Sequence, residues 1–123
     1  MKTVCFDFDG VINSYRHGWQ GVTEINDPPV KGIEKEIARI RKAGYKVIIQ
    51  TTRCVTTDGW HAVSKWLVEH DIPFDNVVIE KPPAIAYIDD RAICFDGNAA
   101  GLLEKVEATL GTARTGYNSR AYA

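Results

Sequence analysis

Four short apolar runs limit what this chain can become. They are Val4-Cys5-Phe6, Val47-Ile48-Ile49, Val77-Val78-Ile79 and Ala86-Tyr87-Ile88. Each is rich in β-branched or aromatic residues and each closes on polar ones, the pattern of strands in a buried sheet. Between the first two, Val30, Ile33, Ile37 and Ile40 recur at helical spacing, with charged residues between them. Asp27-Pro28-Pro29 is the expected start of that helix and Gly44 its stop. Between the second and third runs, Asp58 is the expected cap of a helix burying Trp60, Val63, Trp66 and Leu67. Ala92 to Phe95 reads as a fifth short strand, and Asp96-Gly97-Asn98 turns into a last helix. Strands alternating with helices predict a small α/β domain with a mostly parallel sheet.

The chain has 123 residues, enough for one domain with a real core. Its net charge of −1 gives no indication of a nucleic-acid or membrane surface. No apolar run approaches the ~20 residues of a membrane span. The start, Met1-Lys2-Thr3-Val4-Cys5, lacks the long apolar stretch of a signal peptide. Cys5, Cys54 and Cys94 are odd in number and form no Cys-x-x-Cys pair, which favours reduced thiols and a cytoplasmic protein. Cys5 and Cys94 fall in strand-like runs and are expected to be small buried hydrophobes. Residues 111–123 are small and polar without periodicity, and read as a tail or arm following a domain of residues 1–110.

The chemistry gathers at the ends of the runs. Asp7 and Asp9 close the first, and alternation points both to one side. Gly10 lets the chain turn sharply behind them. Thr51 closes the second run, Lys81 follows the third, and Asp89-Asp90 close the fourth. In a doubly wound sheet these ends share one edge, where ligands bind. Carboxylates crowded there repel by about 4 kcal/mol per pair at ~4 Å and an effective dielectric near 20. A divalent cation offsets that repulsion, and an all-oxygen set favours Mg²⁺ over Zn²⁺. Lys81 and the Thr51 hydroxyl complement the oxygens of a phosphoryl group.

The series Asp7-Phe8-Asp9-Gly10, Thr51-Thr52, Glu80-Lys81-Pro82 and Ile88-Asp89-Asp90 resembles, in order, the four motifs of the haloacid dehalogenase superfamily of phosphohydrolases. The resemblance runs from Cys5 to about Gly97. It implies a Rossmann-like, doubly wound, mostly parallel five-stranded sheet flanked by helices. It also implies Mg²⁺-dependent hydrolysis of a phosphomonoester through an aspartyl-phosphate. Asp7 then corresponds to the nucleophile. Asp9 corresponds to the general acid/base, its carbonyl also binding metal. Thr51, with Thr52 as the neighbouring alternative, Lys81 and Gly10 correspond to the phosphate-binding positions. Asp89 and Asp90 correspond to the acidic pair that completes the metal site with Asp7 and Asp9, Asp89 being favoured for direct contact. Arg53 either recognises the leaving group or sits solvated. His17 and Trp19 are either a solvent-facing loop tip or substrate contacts.

Members of this superfamily often carry an inserted cap domain. Here the intervals from Asp7 to Thr51 and from Thr51 to Lys81 are filled by ordinary loops, helices and strands, so a capless form is expected. Its open pocket favours a large phosphorylated substrate, a nucleic-acid end included, or a second copy of the chain that closes the site. Two rivals use the same residues: a phospho-accepting domain of the response-regulator type, and a catalytically silent metal- or partner-binding domain. The first expects an aspartate closing the third strand, where this chain has Glu80-Lys81.

Overall fold

The computed structural model describes residues 1–111. The chain runs β1 (Thr3–Asp7), α1 (Ile33–Lys42), β2 (Lys46–Gln50), a 3₁₀ turn (Thr52–Val55), α2 (Thr57–Glu69), β3 (Asn76–Val78), β4 (Ala86–Ile88) and α3 (Leu102–Gly111). The strands form one parallel sheet in the order β3-β2-β1-β4. The connections step outward through β2 to β3, then return across β1 to β4. The reversal falls beside β1, and in α/β sheets ligands bind at such a reversal, outside the carboxyl ends of the strands.

One face of the sheet carries the main core. Val4, Phe6 and Phe8 alternate onto it and meet Ile37 of α1, Ile49 of β2 and Leu67 of α2. The Phe8 and Trp66 rings pack edge-on at 5.2 Å. Each such side chain contributes about 1.5–3 kcal/mol on burial, so Phe8, the residue between the two aspartates, is an anchor for the turn that carries them. The other face of β1 carries Cys5 and Asp7, opposite Ile48 and Gln50 of β2.

Trp60 of α2 is 39% exposed rather than buried, and four further features differ from the sequence expectation. The first helix begins at Ile33 behind a left-handed Gly32 (φ 82°), not at Asp27. Pro28 and Pro29 lack donors for a helical ladder, and Asp27 binds the preceding loop instead. The cap of α2 is Thr56, which accepts from the Gly59 N–H at 2.9 Å, while Asp58 lies in the first turn. Residues 92–95 form no strand. An Asx turn, with the Arg91 N–H donating to Asp89 at 2.8 Å, redirects the chain after β4, and a run so short gains nothing without a neighbour to take its hydrogen bonds. Cys94 is exposed rather than buried; Cys5 is buried. The four-stranded sheet therefore replaces the five-stranded one, and among the described residues β4 has a strand neighbour only in β1. The helix α3 runs through Gly111, one residue into the expected tail; the rest of that tail, 112–123, lies outside the described residues. No helix among the described residues is long and apolar enough to cross a membrane.

Candidate active site

Asp7 is the last residue of β1, and Asp89 and Asp90 follow β4 directly. The parallel register sets Phe6 beside Ile88, so the next positions along are Asp7 and Asp89. Carboxylate oxygens of Asp7, Asp89 and Asp90 lie within 4.8 Å of one another. Burial, then the Asp89 charge, with smaller contributions from Asp90 and Asp9, raises the Asp7 pKa to about 7 against an opposing Phe8 N–H bond. An all-carboxylate donor set under mutual repulsion fits a hard divalent cation.

Asp9 lies elsewhere. The Phe8 carbonyl accepts from the N–H groups of Val11, Ile12 and Asn13, and Gly10 takes a left-handed φ of 85°. This tight turn carries Asp9 into the interior. Its carboxylate binds Arg53 Nε at 3.0 Å, and Oδ1 also accepts from Arg53 Nη2 at 3.2 Å and Asn13 Nδ2 at 2.9 Å. The expectation that strand alternation points the Asp7 and Asp9 side chains to one side is corrected here: the strand ends at Asp7, and the Asp9 side chain is not part of the acidic trio.

Arg53 answers neither sequence reading. It is 1% exposed, so it is neither solvated nor presented to a ligand. Its Nη1 donates to the carbonyls of Gly21 and Val22 at 2.7 and 2.9 Å. Trp19 covers the guanidinium at 4.6 Å, a cation–π contact. His17 has an exposed ring but is tied to buried Asp27 through Nδ1 and through its backbone N–H at 2.9 Å. The loop is thus fastened at both ends.

Thr51 is buried at the end of β2 and caps the 3₁₀ turn, its Oγ1 accepting from the Arg53 N–H at 3.2 Å. Acceptance of that bond leaves its own O–H to donate. Thr52 is exposed. The Lys81 ammonium sits 4.2 Å from the centre of the Tyr87 ring, and the Tyr87 hydroxyl donates to the Pro82 carbonyl at 2.7 Å. Tyr87 pairs with Cys5 in the sheet, on the face of β1 that also carries Asp7. Lys81 therefore belongs to the same side of β1 as Asp7. Asn13, Asp27 and Tyr87 were not singled out from sequence. Asn13, four residues after Asp9, had a local signal; Asp27 and Tyr87 had none beyond their types.

The site and sheet define an α/β domain with a carboxylate cluster at the reversal of its strand order. No family model matches the chain, and no curated protein matches it. A solved structure of a structural-genomics target from Vibrio cholerae is similar over 91% of this chain and 98% of that one, with 21% identity and a TM-score of 0.52. At that identity the likeness speaks to the fold.

Proposed function

We propose that this chain is a Mg²⁺-dependent phosphomonoester hydrolase of the haloacid dehalogenase type, built on a capless, doubly wound sheet. The observation that carries the reading is the convergence of Asp7, Asp89 and Asp90 from β1 and β4, separate in sequence, within 4.8 Å. Asp7, Asp89 and Asp90 would hold the cation, with the Asp9 carbonyl as a further ligand. When bound, the cation supplies charge to the carboxylates and to the phosphoryl oxygens.

In this reading an oxygen of Asp7 attacks phosphorus and the ester oxygen leaves with a proton from Asp9. Water then attacks the aspartyl-phosphate at phosphorus and gives its proton to Asp9, returning Asp7 and releasing phosphate. Asp9 Oδ2 accepts from Arg53 Nε alone, whereas Oδ1 has three donors, so Oδ2 is the less engaged oxygen of the carboxylate. The Thr51 hydroxyl and Lys81 would orient the phosphoryl group, with Thr52 and Gly10 beside them. A large phosphorylated substrate suits a site without a cap.

The test is hydrolysis of an aryl phosphate with and without chelator. Activity should require Mg²⁺ and vanish in Asp7→Asn while the fold persists. Full turnover in that variant would overturn the reading, and inertness across a broad phosphate panel would favour a silent binding domain.

A further inference from the structure

We propose that Arg53 is a positioning residue that couples the loop of residues 19–24 to the carboxylate of Asp9. The role rests on the hydrolase reading for its kinetic consequence and on geometry alone for the coupling. A guanidinium is a rigid plane with its donors in a fixed fork. Here one side of the plane, Nε and Nη2, holds Asp9, and the other, Nη1, holds the Gly21 and Val22 carbonyls. Trp19 stacks on its face. Neither end can shift without moving the other or leaving a buried polar group without its bond.

A second contact seats the loop from behind. A methyl group at Gly59, in the first turn of α2, would stand 1.9 Å from the Arg53 carbonyl oxygen and 2.6 Å from Val22 Cγ1. The helix, the Arg53 main chain and the Val22 side chain therefore meet with no spare room. The loop is thereby fixed in place, and its seating sets the direction of the Asp9 carboxylate. Arg53 is spent on this and is not a substrate contact.

Coupling of this kind is reciprocal, which gives a test that does not need activity. Arg16 is exposed three residues before Trp19, and its cleavage by trypsin reads the order of the segment that leads into the loop. Asp9→Asn, Arg53→Lys and Trp19→Leu should each admit the cut at protease levels that leave the wild type intact. In the kinetic arm, Arg53→Ala should lower kcat on the order of 100-fold, the share of an acid–base group, with KM for a small aryl phosphate nearly unchanged. Added guanidinium should restore part of that loss, and Arg53→Lys, which keeps the charge without the fork, should fall between. Should Arg53→Ala fail to fold, Trp19→Leu carries the same expectation of a looser loop and a lower kcat. An intact loop in Asp9→Asn, or a loosened loop with kcat unchanged in Arg53→Lys and Trp19→Leu, would overturn the coupling. A wild type that hydrolyses no phosphate ester would remove the hydrolase reading, and the trypsin arm would still decide the clamp.

Discussion

Asp7 bears a charge that its surroundings resist. Its pKa of about 7 means that the folded protein holds a proton there across a range in which the unfolded chain, at about 4, has released it. The folded state then binds more protons than the unfolded one, so stability falls as pH rises from about 4 to about 7. In chelator, the wild type should lose a few kcal/mol over that range, while Asp7→Asn should lose little and be the more stable of the two at pH 7.5. Urea unfolding at stepped pH measures this, and parallel profiles would contradict it. The meeting of Asp7 and Asp89 was legible in the sequence because each marks where an apolar run stops. Arg53 was not. Nothing local shows that a guanidinium will meet a carboxylate 44 positions away rather than water.

At the scale of elements, α2 and the 3₁₀ turn meet through Gly59. An alanine in a helix is ordinarily favoured over glycine by about 1 kcal/mol. Here the added methyl runs into the Arg53 carbonyl and Val22, and overpacking of that kind costs about 1–3 kcal/mol. Gly59→Ala should therefore destabilise the protein and loosen the loop, read by the urea midpoint and by cleavage after Arg16. A stabilised variant would mean that the contact yields easily. The strands β1, β2 and β4 and the body of each helix followed from periodicity. The errors fell at boundaries: Thr56 in place of Asp58, Gly32 in place of Asp27, and a lost fifth strand. Each was decided by a turn or cap whose geometry competes with the apolar pattern and leaves a weaker trace in it.

On the scale of the whole molecule, the parallel order β3-β2-β1-β4 sets β1 and β4, the first and last strands of the described chain, side by side. The class was readable from alternating strands and helices. The closing of the sheet was not, because a short run such as 92–95 becomes a strand only if the fold offers it a partner. β4 spans just Ala86–Ile88, and Ile88 stays 39% exposed although it lies on the core face with Phe6. Its backbone ladder reaches one neighbour, and its last residue leads straight into two of the three clustered acids. An ion shared by Asp7, Asp89 and Asp90 would consequently act as a staple on the sheet's margin. Amide hydrogen exchange at residues 86–88 should slow when Mg²⁺ is added, more than exchange in β2, whose two flanking strands already shield it. Equal slowing throughout would locate the ion's effect elsewhere.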